Sequence, residues 1–158
     1  VSFTGGEPLL QKDFLKESLS LVTRSGYKTY LETNGTLPEA LDEVIEFVDI
    51  IAMDVKLPSS GNCAGAYWKE HHRFLKIASK KEVFIKAVIS ASTIEEDVVT
   101  MFDLLRKEKY RGVLVLQPNS LENCRPLDAK VTMFKKRGIG YPFSVCSMPQ
   151  MHKLLGVK

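Results

Sequence analysis

Cysteine is scarce in this sequence, and its three copies, Cys63, Cys124 and Cys146, stand far apart. No two share CxxC spacing and none has a histidine nearby at ligand spacing, so none announces a metal site. An odd count in a chain of this kind also argues against a disulfide framework. All three read as ordinary thiols. The sequence also lacks any apolar run long enough to span a bilayer, and any charged-then-apolar opening of the secretory type. Both absences point to a cytoplasmic protein without a membrane partner. A dominant charge is missing too: 22 basic against 19 acidic residues leave a net +3. The basic groups, Arg106-Lys107-Glu108-Lys109 with Arg111 and Lys135-Lys136-Arg137, each close an expected helix, where cations complement the negative end of the helix dipole. Aromatic side chains do not interleave them, so neither is read as a nucleic-acid platform.

What is present is ordinary globular composition, 44% apolar and 26% charged. With 158 residues the chain is long enough for a single domain, 1–158, with a substantial core. Strand-like and helix-like segments alternate from end to end. Val1 to Thr4 is β-prone. The spacing predicts a helix from about Asp13, with Leu15, Leu19 and Val22 on one face and Gly26 as its stop. Tyr27 to Leu31 reads as the second strand. Pro38 opens a helix with the stripe Leu41, Val44, Ile45 and Val48. The continuous apolar run Ile50 to Met53 suits a strand covered on both faces. After a Pro58-Ser59-Ser60-Gly61 loop comes a helix over Ala66 to Ala78, then a strand over Val83 to Ile89. Thr93-Ile94-Glu95-Glu96 has capping-box form, and Ile94, Val98, Phe102 and Leu105 mark the buried face of the helix it starts. Val113 to Leu116 is the fifth strand. A helix after Pro126 buries Leu127, Val131 and Phe134, and Tyr141 to Val145 is the sixth strand, followed by the tail Gln150 to Lys158. This alternation implies an α/β fold built from βαβ units, with parallel strands and right-handed crossovers.

Unusual polar residues fall where strands end: Thr4-Gly5-Gly6-Glu7, Glu32-Thr33-Asn34-Gly35, Asp54 with Lys56, Ser90 with Ser92, and Gln117-Pro118-Asn119-Ser120. In a parallel sheet or barrel the C-terminal strand ends share one face, and ligands bind there. Strand-end polarity is also plain turn chemistry, so it is the shared location that signals function. The Gly5-Gly6 pair permits backbone angles closed to other residues and close approach of a ligand to the main chain. No GxGxxG follows a strand, so the loop is not a dinucleotide fingerprint.

Val1 to Gln11, with its Gly5-Gly6-Glu7 loop, resembles the second strand and GGE motif of radical S-adenosylmethionine enzymes. Leu31 to Thr36 resembles the third strand end of that family, and Asp49 to Lys56 its fourth strand. Leu116-Gln117-Pro118-Asn119, the Lys56 to Gly61 loop and Pro149 to Gly156 are similar to segments of its 7-carboxy-7-deazaguanine synthase branch. The similarity runs in order across essentially the whole chain. It implies a partial (β/α)6 barrel of parallel strands without its first βα unit. It also implies that Gly6 and Glu7 meet the methionine end of S-adenosylmethionine. Asp54, Val55 and Lys56 would then line its ribose and carboxylate, Gln117, Pro118, Asn119 and Ser120 its nucleoside side, and Thr4 and Lys158 would face a pterin substrate. His152 sits in the tail motif with its role open, while His71 and His72 are read as structural or solvent-facing.

The family's chemistry needs a [4Fe–4S] cluster on three neighbouring cysteine thiolates, and Cys63, Cys124 and Cys146 do not supply that spacing. The expectation is a piece of a longer protein whose cysteine loop, and Mg²⁺ ligand, lie upstream. Alone it would be inactive, with an unpaired first strand edge that invites a homodimer. The resemblance implies a flavodoxin-like reductant for the complete enzyme. Two other readings stand beside it: an activase of a glycyl-radical enzyme, whose partner is a large protein, and a non-catalytic α/β binding module.

Overall fold

The computed structural model of the protein describes residues 1–61, 65–122 and 124–149. Cys63, the side chain of Cys124, and the tail Gln150 to Lys158 with His152 lie outside the described residues. The chain divides into two compact units, Val1–Asp54 with Tyr67–Phe84, and Val55–Ala66 with Ile85–Lys158. Each repeats the same α/β logic.

In the first unit the strands are β1 (Ser2–Phe3), β2 (Tyr30–Thr33) and β3 (Ile50–Asp54), and the helices are α1 (Lys12–Arg24), α2 (Pro38–Val44) and α3 (Trp68–Ala78). The strands pair in parallel and in chain order: Phe3 lies opposite Leu31, and Leu31 opposite Ile51. Leu15 and Leu19, one turn apart on α1, are buried together with Leu31, Leu41, Ile51 and Phe74. The stripe expected on the second helix holds, with Leu41, Val44, Ile45 and Val48 all buried. Its last turn tightens into a 3₁₀ turn at Ile45–Phe47. The central residues of β3 are covered on both faces, as its apolar run requires.

The second strand starts later than the pattern suggests, at Tyr30 rather than Tyr27. Tyr27 is still committed to closing α1, its amide donating to the Val22 carbonyl at 3.2 Å. Thr29 is committed sideways: its amide donates to the Asp49 carboxylate at 2.8 Å and its hydroxyl to the Phe47 carbonyl at 2.7 Å. The amide bond, helped by a contact of the same hydroxyl with the Asp49 carboxylate at 3.1 Å, holds Asp49 below the usual carboxylate range.

The second unit holds the strand β4 (Glu82–Ile89) from Ile85 onward, α4 (Glu95–Lys107), β5 (Val113–Pro118), α5 (Cys124–Arg137) and β6 (Ser144–Ser147). These strands also pair in parallel and in chain order, Ile89 opposite Pro118 and Val115 opposite Cys146. Ile85, Ala87, Ile89, Leu114 and Leu116 point into the core, while the alternate residues Lys86, Val88, Val115 and Gln117 are half-buried. Leu127, Val131 and Phe134 are buried on α5, as their spacing predicts.

Two expectations are corrected in this unit. Thr93 is not the cap of α4: Ile94 occupies that position without a side-chain capping bond. The buried Thr93 hydroxyl instead accepts from the Ser90 amide at 2.8 Å, which leaves Ile94 48% exposed and gives its expected core place to Met101. The last strand starts at Ser144 rather than Tyr141 because Tyr141 and Phe143 are drawn into an aromatic cluster. Their rings lie 5.1 and 5.6 Å from that of Phe102. Tyr110 joins the cluster at 6.1 Å from Phe143, and burial pushes its phenol up to about 12. Among the described residues no helix is long and apolar enough to cross a membrane.

Candidate functional site

In the first unit, parallel pairing in chain order brings the C-terminal ends of β1, β2 and β3 to the same side. The glycine pair follows β1, with Gly5 at φ +96° and Gly6 at φ +33°, in the left-handed region that a side chain disfavours. Glu7 then caps a 3₁₀ turn, Pro8–Gln11, accepting the Leu9 amide at 3.2 Å on Oε1. The same oxygen accepts the Thr33 hydroxyl at 2.8 Å, and Oε2 accepts the Asn34 amide at 2.7 Å. Glu7 therefore ties the end of β1 to the end of β2. A carboxylate offers about four acceptor positions, so Oε2 keeps capacity for one more donor.

The end of β2 is itself braced. The Asn34 side chain accepts the Thr36 amide at 2.9 Å and the Thr36 hydroxyl at 2.6 Å. His71, fully buried on α3, pairs its Nε2 with the Asn34 carbonyl at 3.2 Å. Of the two readings for His71, structural is the one its burial selects. Gly35, at φ +69°, packs so closely that a Cβ would lie 2.7 Å from the Met53 methyl carbon. Thr4, whose hydroxyl donates to Glu32 at 3.1 Å, and Glu32 are partly accessible on this edge. Burial and then the Glu32 charge push the Tyr30 phenol above its ordinary value. Asp54 ends β3 half-buried.

In the second unit, the Val55 amide donates to the Lys86 carbonyl at 2.8 Å, and Val55 and Leu57 are buried on either side of a half-buried Lys56. Gln117 and Pro118 lie within β5 rather than after it, Gln117 half-buried beside Val88. The Asn119 amide continues the ladder, donating to the Ile89 carbonyl at 2.8 Å, and Ser120 is exposed. The Asn119 side chain donates to Glu122 at 2.9 Å. The other oxygen of Glu122 accepts the Ala91 amide at 2.5 Å. Ser59, Ser60, Ser90, Ser92 and Thr93 form a hydroxyl mesh anchored on Asp97. The structure thus gathers Thr4, Gly6, Glu7 and Asp54 at one set of strand ends. It places Val55, Lys56 and Gln117 to Ser120 with the strands of the other unit.

Several braces had no sequence signal. Asp97 reads as an ordinary first-turn acid that complements a helix dipole, and Glu122 as a loop acid. His71 could have been flagged only by its place among helix positions that alternate toward the core.

The arrangement can be tested against a bound group. A Cβ built on Gly5 or Gly6 meets nothing within 4 Å. The loop opens on a cavity of about 320 Å³ lined by Thr4, Gly5, Gly6, Glu7, Phe3 and Phe14. Main-chain groups beside a half-buried carboxylate with spare acceptor capacity suit the ammonium and carboxylate of an amino acid. Among the described residues no group of three His, Cys, Asp or Glu could hold a metal ion. Cys146 stands by itself, half-buried in β6.

Comparison with known proteins follows this geometry. The 7-carboxy-7-deazaguanine synthase of Geobacter sulfurreducens is 35% identical over 99% of the chain and 62% of its own length. That of Methanopyrus kandleri is 33% identical over 98% of the chain and 59% of its own length. The chain thus spans about three-fifths of the relatives it matches. A domain of pyruvate-formate lyase-activating enzyme from Bacteroides vulgatus shares the fold, with a TM-score of 0.73 over 94% of this chain and 98% of that domain at 18% identity. The profile described as the Radical SAM superfamily matches residues 1–117, and the chain belongs to that superfamily.

Proposed function

We propose that this chain is the S-adenosylmethionine-binding part of a 7-carboxy-7-deazaguanine synthase, acting on 6-carboxy-5,6,7,8-tetrahydropterin. The observation that carries the reading is the Gly5-Gly6-Glu7 loop, open above its glycines and held to β2 by a single carboxylate. The two glycines let the main chain approach the methionine end of the ligand, and Oε2 of Glu7 has acceptor capacity for its ammonium. Asp54, Val55 and Lys56 serve the ribose and the ligand's carboxylate. Gln117, Pro118, Asn119 and Ser120 serve the nucleoside, and Thr4 and Lys158 the pterin. In this superfamily S-adenosylmethionine on a [4Fe–4S] cluster supplies one-electron chemistry. The three cysteines of this sequence lack the spacing to hold that cluster. The complete enzyme would take Mg²⁺ and a flavodoxin-like reductant as well.

The test has two arms. The protein from its full coding sequence, reconstituted anaerobically, is expected to convert 6-carboxytetrahydropterin to 7-carboxy-7-deazaguanine. The same assay on the 158-residue chain is expected to give no product. Equilibrium dialysis with labelled S-adenosylmethionine should show binding that Gly6→Val weakens about tenfold or more. Product from the 158-residue chain would refute the need for outside cluster ligands. A full protein that ignores the pterin but generates a glycyl radical on a large partner would establish the activase reading instead.

A further inference from the structure

The segment that carries Lys56 is pinned at both ends. Upstream, the Val55 amide is bonded to Lys86 of β4. Downstream, Ser59 directs its polar groups at one short stretch of chain. Its amide and hydroxyl both donate to Asp97 Oδ2, at 2.8 and 2.5 Å. Its hydroxyl accepts the Ile94 amide at 3.0 Å, and its carbonyl accepts the Ser92 hydroxyl at 2.5 Å. Ser60 adds a hydroxyl contact with Thr93 at 2.7 Å, and its amide closes a turn on the Leu57 carbonyl at 3.0 Å. Loops ordinarily rest on solvent and on their own turn bonds. The five-residue reach from buried Val55 to half-buried Ser59, tied to a charged acceptor, is more tightly held than closing a loop requires.

Asp97 is an uncommon choice for a merely local purpose. In the first turn of α4 it already complements the helix dipole, and Glu95 and Glu96 beside it would serve that end. Asp97 alone of the three turns to Ser59, taking two donors on one oxygen. Bonds to an ionised acceptor are about twice as strong as neutral ones. Their effect falls on the segment three residues from Lys56.

We propose that Asp97 and Ser59 are a positioning pair that holds Lys56 in the conformation that meets the carboxylate of S-adenosylmethionine. Asp97 touches no ligand itself; it acts through Ser59 and the Leu57–Pro58 link. The inference rests on the assignment of Lys56 to S-adenosylmethionine made above. It would not follow from the hydroxyl mesh alone.

The experiment uses the protein expressed from its full coding sequence, with two readouts: amide hydrogen exchange across Val55 to Ser60, and the Kd for labelled S-adenosylmethionine. Asp97→Ala is expected to speed exchange of the Ser59 amide by about tenfold and to raise Kd about fivefold. Asp97→Asn keeps an acceptor oxygen and is expected to stay within about twofold of wild type, although it too loses the helix-dipole charge. Lys56→Ala should raise Kd about tenfold, and adding Asp97→Ala to it should raise Kd by no more than about twofold further, because the pair acts through that lysine. Ser59→Ala, which keeps the backbone bond to Asp97, serves if Asp97→Ala does not fold, with an expected intermediate effect. Unchanged exchange in Asp97→Ala overturns the pair and leaves the Lys56 assignment standing. Faster exchange with unchanged Kd reduces it to a structural brace and overturns positioning. Fully multiplying effects in the double variant overturn it too. A Lys56→Ala protein that binds like wild type removes the assignment, and the proposal with it, whatever the exchange shows.

Discussion

In the first unit the ends of β1 and β2 meet on one carboxylate, whereas the strand ends of the second unit are tied by hydroxyls, amides and two acids, Asp97 and Glu122. Glu7 alone accepts from Leu9, Thr33 and Asn34. In the second unit the comparable work is spread over Ser59, Ser60, Ser90, Ser92 and Thr93, with Asp97 and Glu122 behind them. The difference is physical. An ionised acceptor forms stronger bonds and can take several donors, so a single residue organises a whole loop. A hydroxyl donates one bond and accepts weakly, so a mesh of them shares the load and tolerates single losses. The first design concentrates both order and vulnerability near the glycine pair.

This contrast can be broken most directly at its hub. Glu7→Ala leaves the Thr33 hydroxyl and the Asn34 amide without their acceptor, and should cost about 2–4 kcal/mol in urea denaturation. A loss below about 1 kcal/mol, typical of one neutral hydrogen bond, would erase the distinction between hub and mesh. Gly35→Ala comes next, at about 1–3 kcal/mol, because it combines a left-handed φ of +69° with a contact 2.7 Å from Met53. Its effect should appear as faster exchange at Asn34 and Thr36, in the first unit only. Tyr110→Phe removes a hydroxyl that donates to the Val113 carbonyl at 2.8 Å and should cost about 1 kcal/mol at neutral pH.

The same tyrosine sharpens the comparison with a pH sign. Its folded value, about 12, lies above the ordinary 10. The folded state therefore keeps the proton longer, and the resulting stability is present below pH 10 and lost as pH rises toward 12. Chemical denaturation at stepped alkaline pH should show wild type declining more steeply than Tyr110→Phe across that window. Parallel curves would remove burial as the cause. The smallest effect belongs to the mesh: Ser92→Ala, at an exposed position, should fall within about 0.5 kcal/mol of wild type.

Much of the fold is legible in the sequence. The α1 face of Leu15 and Leu19, the Leu41 to Val48 stripe and the buried run of β3 follow from apolar periodicity, which reflects how each element meets its core. The misses share a cause. Thr93-Ile94-Glu95-Glu96 has the letters of a capping box, but Ser90 offered Thr93 a better bond and moved the helix start. Tyr27 and Tyr141 are β-prone residues held outside strands by a helix closure and by an aromatic cluster. Local preference lost to a partner the local sequence could not specify. At the site, the polar strand ends were legible as a class, and Gly5-Gly6-Glu7 as their sharpest member. The braces around them were not.

By itself the sequence determined the kind and order of the elements and the placing of polar residues after strands. Spacing of apolar side chains and the positions of glycine and proline act over a few residues and are written in the chain directly. Only the tertiary structure decided which polar group answers which. Glu7 meets Thr33 across 26 positions and Ser59 meets Asp97 across 38. A hydrogen bond depends on ångström-scale distance and direction, and those exist only once parallel strands have set their register.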